Sequence, residues 1–158
     1  MFPHDSLQLR GFNRLIDEPS SSELQKLWDL IDKLGGSLGT CQAPASGETS
    51  VYFQNQWWNV PLQGPGFDSQ KLFDQILAPC FGLSAPDDPR IVNLAQGVDA
   101  ADLQVVEGSV GFVLAPLSIE QFMDAADSQI LLPPKSTYFV PKAQSGVFLR
   151  YLRQETVD

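Results

Sequence analysis

The stretch SVYFQNQWWNVPL, Ser50 to Leu62, constrains this chain more than any other. Two apolar, aromatic runs flank the polar Gln54-Asn55-Gln56, which is the pattern of a β-hairpin. Pro61 ends the second run, because proline has no N–H to give to a ladder. An antiparallel pair in mid-chain commits the fold to a sheet. The segment SSSELQKLWDLIDKLGG supplies something to cover it. There Ser20 and Glu23 form a capping box, each side chain satisfying a backbone N–H that a helix start leaves without a partner. Leu24, Leu27, Trp28, Ile31 and Leu34 recur on one helical face, and Gly35-Gly36 can take the left-handed conformation that closes a helix.

The other elements are shorter. Leu7 and Leu9 alternate with Ser6, Gln8 and Arg10, as in a half-buried strand. A helix is predicted from about Ser69, with Leu72, Phe73, Ile76 and Leu77 inward, stopping before Pro79. GPGFD and SAPDDPR read as loops and RIVNLA as a short strand, and Asp99 caps a predicted helix carrying Leu103 and Val106. GFVLAPL has the unbroken apolar character of a buried strand. LSIEQFMDAAD begins a helix with a second capping box, Ser118 and Gln121, and an inner face of Ile119, Phe122, Met123 and Ala126. In SGVFLRYL, Val147, Leu149 and Tyr151 alternate with Phe148, Arg150 and Leu152, a final strand. Strands and helices in this mixed order predict an α+β fold: a mixed or mostly antiparallel sheet with about four helices packed on it, in a single domain over residues 1–158.

The chain carries few marks of catalysis. It has no GxGxxG, GxxxxGK[ST], HExxH or GxSxG. Its single histidine, His4, has no companions at zinc spacing, so no metal site is expected. Cys41 and Cys80 are far apart, and a chain of 158 residues with 43% hydrophobic content has core enough without a staple, so both read as free thiols. The carboxylate pairs Asp87–Asp88, Asp99 with Asp102 and Asp124 with Asp127 fall in a loop or on predicted helix surfaces and read as structural, and Asp99 and Asp102 fit helix-start electrostatics. Tyr52, Phe53, Trp57 and Trp58 read as core, or as a stacking platform where a tryptophan faces solvent. No apolar run approaches the roughly 20 residues that span a bilayer, and the start lacks a charged-then-apolar leader, so a cytoplasmic protein without membrane contact is expected.

Charge points to one segment. The net charge of −9 argues against nucleic acid as a partner. Residues 1–128 hold 6 Lys/Arg against 17 Asp/Glu, net −11, whereas residues 129–158 hold 4 against 2, net +2. Within that basic end lies LLPPKSTYFVPK. Pro133 and Pro134 stiffen the approach, and Lys135, Ser136 and Thr137 then offer an ammonium and two hydroxyls beside backbone N–H groups. That donor set suits a phosphate or carboxylate. The same residues also suit a structural clasp, with Ser136 and Thr137 bonding local backbone, Lys135 paired to an acid, and Tyr138 and Phe139 filling the core.

LLPPKSTYFVPKAQSGVFLRYL resembles the C-terminal signature of the bacterial and archaeal family called domain of unknown function 1015, whose members end in Pro-Pro-Lys-Ser-Thr-Tyr-Phe, Pro-Lys and Ser/Thr-Gly. GFVLAPLSIEQFMDAAD resembles the strand and helix that precede it, and MFPHDSLQLRGFNRLI resembles a mid-chain segment that leads to an Asn-Arg or His-Arg pair, here Asn13-Arg14. Longer members carry an upstream half with an Asp-Gly-His-His-Arg motif similar to the phosphate-handling motif of ParB/sulfiredoxin-type folds, some of which are small-molecule kinases. That motif is not in this sequence. The resemblance implies the C-terminal part of such a protein, with Lys135, Ser136, Thr137, Lys142, Asn13 and Arg14 as anion-binding candidates.

The expected function is an accessory domain, not catalytic by itself, that binds a phosphate-bearing or other anionic small molecule. No cofactor is expected beyond a nucleotide or phosphate ligand, and the expected partner is that ligand or the upstream half. The alternatives are a purely structural module and a small-molecule kinase or phosphotransferase. The kinase needs a metal-holding carboxylate near Lys135, for which Asp5, Asp124 and Asp127 are the first candidates.

Overall fold

The structure, a computed structural model, describes residues 8–40, 43–94 and 108–140. The predicted helix at Asp99, the final strand from Val147, and His4, Asp5, Cys41 and Lys142 lie outside the described residues. The described strands are β1 (Gln8–Arg10), β2 (Arg14–Ile16), β3 (Ser37–Leu38), β4 (Glu48–Phe53), β5 (Gln56–Pro61), β6 (Ile91–Asn93), β7 (Val110–Leu114) and β8 (Tyr138–Val140). Six of them form one sheet in the order β3-β5-β4-β7-β2-β6, and β1 pairs with β8 in a separate two-stranded ribbon. Every one of these pairings is antiparallel.

The aromatic hairpin forms as β4–β5. Phe53 pairs with Gln56, so Gln54 and Asn55 alone make the turn, and both have positive φ (51° and 60°). That is the two-residue connection whose twist matches the flanking strands. The four hairpin aromatics split by alternation. Phe53 and Trp58 face the helices, while Tyr52 and Trp57 join Leu15 and Val113 on the opposite face. The tryptophan that faces solvent is Trp28 of the first helix, 40% exposed and packed edge-on against Trp58.

The described residues form three helices rather than about four. The first, α1 (Ser21–Lys33), starts at the predicted box: Ser20 Oγ accepts from Glu23 N–H, and Ser20 N–H donates to Glu23 Oε2 at 2.8 Å. Glu23 also takes a 2.8 Å ion pair from Arg90, whose other arm donates to the Phe81 carbonyl, so the box ties α1 to the end of the second helix. Ser20→Ala should therefore lower stability by about 1 kcal/mol. The check is the urea midpoint at unchanged slope.

The second helix, α2, occupies residues 68–81 as Asp68–Leu72, a π-helical turn Phe73–Leu77, and Ala78–Phe81. The expectation that it stops before Pro79 is corrected. The Ala78 N–H reaches back to Phe73 O, and this widened turn takes the place of the regular ladder just ahead of the proline, which has no N–H to contribute. Gly82, at φ +65°, then closes the helix. The third helix, α3 (Ile119–Asp127), begins at the Ser118/Gln121 box as predicted. Its buried position is Ala125, with Ile119 and Phe122 half-buried. Met123 and Ala126, expected inward, are exposed.

The main core lies between the sheet and α1 and α2, with Ile16, Val51, Val60 and Phe112 from the strands meeting Leu27, Leu72, Ile76 and Leu77. Among the described residues no helix is long and apolar enough to cross a membrane.

Candidate functional site

The β1–β8 ribbon carries the Pro-Pro-Lys-Ser segment back to the body of the domain. Pro134 and Lys135 form a turn, and Lys135 has φ +58°. Proline followed by a left-handed residue is what a type II turn requires, and glycine usually fills the second place. Lysine there costs roughly 1–2 kcal/mol of backbone strain. Ser136 Oγ holds the turn, lying 2.7 Å from the Pro133 carbonyl and 3.0 Å from Ser69 Oγ on α2. The Lys135 ammonium sits over the Phe12 ring, 5.5 Å from its centroid, and Phe12 packs edge-on against Tyr138. The predicted clasp is thus partly real, since Ser136 does bond local backbone. Among the described residues, however, Lys135 has no acidic partner.

This turn closes one side of a cavity of about 150 Å³. Arg14, Asp68, Ser69, Lys71, Gln121 and Lys135 supply its polar wall. Arg14 comes from β2 on the helix-facing side of the sheet, in register with Phe112. It is only 4% exposed, yet it has no ion pair among the described residues. Its described hydrogen bond is a long one, 3.5 Å from Nη2 to the Lys135 carbonyl. Burial pushes the guanidinium down to about 10, which leaves it cationic at neutral pH. Asp68 is the carboxylate of the cavity, and it is engaged: it accepts from Gly47 N–H at 2.8 Å and pairs with Lys71 at 2.9 Å. Three cationic side chains therefore face one carboxylate across a small, partly enclosed space.

Of the predicted residues, the fold brings Arg14, Lys135 and Ser136 together. Asn13 does not line the cavity; its carbonyl accepts from Leu94 N–H. Thr137 lines a neighbouring groove instead. Lys142 is outside the described residues. Asp124 and Asp127 are exposed on α3 and do not line the cavity. Asp68, Ser69 and Lys71 are not reached from the sequence: Asp68 ends the GPGFD loop, and Ser69 and Lys71 lie at the start of a helix for which only the apolar face is predicted. Gly66 of that loop, at φ +105°, delivers the chain to the start of α2. Gln121 was read as a cap; it is one, and it also walls the cavity. Among the described residues no three His, Cys, Asp or Glu side chains gather to hold a metal. Cys80 is buried and free, and desolvation pushes its thiol up to about 11, away from nucleophilic use.

Fold and site together define an α+β domain with a helix-backed antiparallel sheet and a cationic cavity where a proline-stiffened turn meets that sheet. No family model matches the chain, and no curated protein does. Among solved structures it is similar to SbnI with a C-terminal truncation, from Staphylococcus aureus, at a TM-score of 0.55 and 13% identity, over 92% of this chain and 54% of that one. At that identity the likeness concerns the fold alone. The chain spans about half the length of that neighbour.

Proposed function

We propose that this chain is a binding module for a small phosphate- or carboxylate-bearing anion, with Arg14, Lys135 and Ser136 as its recognition set. The observation that carries the reading is Arg14: a guanidinium buried to 4% exposure, lining a cavity, with no carboxylate paired to it among the described residues. A buried charge is costly until it is paired, and an anion entering the cavity supplies the partner. Guanidinium presents a planar fork that matches two oxygens of one phosphate or carboxylate, and Lys135 adds a point charge beside it. The cavity, at about 150 Å³, is smaller than the roughly 300–1,000 Å³ of ordinary ligand pockets, so it takes an anionic group with few further atoms rather than a whole nucleotide.

Two details favour binding over phosphoryl transfer. The cavity's carboxylate, Asp68, already serves Gly47 and Lys71, and it sits among cations rather than with other carboxylates. The resemblance to the domain of unknown function 1015 family extends the reading: the natural complement is the upstream half with the Asp-Gly-His-His-Arg motif, and this module would complete a site built largely there. Calorimetric titration with inorganic phosphate and a panel of small phosphorylated and carboxylated compounds tests the proposal. Absence of binding, with the chain alone and with the upstream half of a family member added, would sink it.

Lys135→Gly separates the ligand reading from the clasp. Glycine accepts φ +58° without strain, so ligand-free stability should hold or rise by up to about 1 kcal/mol. Anion affinity should fall about 10–100-fold with loss of a charge-assisted contact. Melting with and without phosphate reads both; lost stability with unchanged phosphate response favours the clasp.

A further inference from the structure

Lys135 and Ser136 line a second depression besides the cavity, and the two spaces meet at these residues. The second is a shallow groove of about 360 Å³. Its walls are Phe122, Ala125 and Ala126 of α3 and residues 130–133, all apolar, and its polar lining residues are the consecutive Lys135, Ser136 and Thr137. Of the wall residues, Leu131 is 95% exposed and Ile130 about half exposed. An acidic chain thus places an apolar surface directly against its cationic cavity. Lysine suits that junction, because its methylene stem lies along apolar surface while the ammonium reaches the charge.

We infer that the ligand is amphiphilic: a free, single-chain organic phosphate whose anionic head enters the Arg14 cavity and whose alkyl tail lies in the α3 groove. This rests on the anion-binding reading and narrows its ligand class. Charge complementarity selects the head, since three cations face the cavity. The tail is an alkyl chain because the walls facing it are apolar side chains, which reward methylene contact and offer a polar tail nothing. A free molecule is favoured over a lipid surface, because an acidic protein of net charge −9 is repelled by an anionic bilayer.

The test compares inorganic phosphate, butyl phosphate and octyl phosphate by calorimetry, each held below its micelle threshold. Affinity rises about fourfold per buried methylene, so an octyl chain that buries half its length gains on the order of 100-fold over phosphate. Arg14→Met should abolish binding of all three. Ala126→Gln, at an exposed helix position, and Leu131→Ser should each remove much of the octyl gain and leave phosphate affinity unchanged. Octyl phosphate binding within threefold of phosphate overturns this inference and leaves the anion reading standing. Octyl glucoside binding as tightly as octyl phosphate also overturns it, as does binding to phosphatidic acid vesicles without binding to monomers. Failure of phosphate and both esters defeats the anion reading and this inference together.

Discussion

Arg14→Met raises the stability of the ligand-free chain by about 1–4 kcal/mol and removes its response to anions. The two effects have one cause. Arg14 keeps its charge while 96% of its surface is hidden, and among the described residues it has no carboxylate to offset the loss of water. A basic group whose folded pKa lies below its unfolded value weakens the fold at every pH below the folded pKa, here about 10, and the burden is relieved only as the pH climbs past it. Methionine has similar length and no charge, so it fills the space without that burden. Phosphate at 100 times its Kd should stabilise the native chain by about 2.7 kcal/mol and the variant not at all. Urea unfolding at neutral pH, with and without phosphate, measures both. A variant less stable than the parent by more than 1 kcal/mol would mean that Arg14 is held by contacts the fold cannot lose, and that its burial is structural.

How much of this was legible in the sequence depended on how local the cause was. Both capping boxes and the hairpin were readable, because each is settled by side chains a few residues apart. The strand at Arg14, Leu15 and Ile16 was not. Three residues led by an arginine carry no strand pattern, and this strand exists because β6 and β7 pair with it on either side. The helix past Pro79 was hidden for a different reason: a proline ordinarily ends a helix, and here a π-helical turn just ahead of it lets the helix run on. On α3 the inward face was misjudged by one to two positions. Ala125 faces the body, whereas Met123 and Ala126, expected inward, are exposed.

The site divides the same way. Lys135 and Ser136 stood out because prolines, charge and hydroxyls fall within a few residues. Arg14 was reached only through a family resemblance. Asp68, Ser69 and Lys71 could not be reached, since the hydrogen bond that joins Ser136 to Ser69 spans 67 positions of sequence. A strained lysine in a proline turn is thus the half of the site that local chemistry can write. The buried cation and its neighbours are the half that only the folded sheet can assemble.

Phe112→Ala is the core substitution most closely tied to this site. Phe112 is fully buried on β7 and meets Phe81 of α2 edge-on, with ring centroids 6.1 Å apart. Removing the ring should cost about 3–5 kcal/mol, a large part of the 5–15 kcal/mol that holds a typical domain together. Phe112 also stands opposite Arg14 in the ladder, so the two side chains leave the sheet on the same face. A void there admits water towards the guanidinium and returns part of the burial cost that Arg14→Met was expected to relieve. The double variant should then gain less from Arg14→Met than the parent does, by at least 0.5 kcal/mol, the scale on which neighbouring residues couple. A urea double-mutant cycle measures the difference. Strict additivity would separate the cost of Arg14 from the packing around Phe112, and a loss below 1 kcal/mol for Phe112→Ala alone would contradict the seating of α2 on β7.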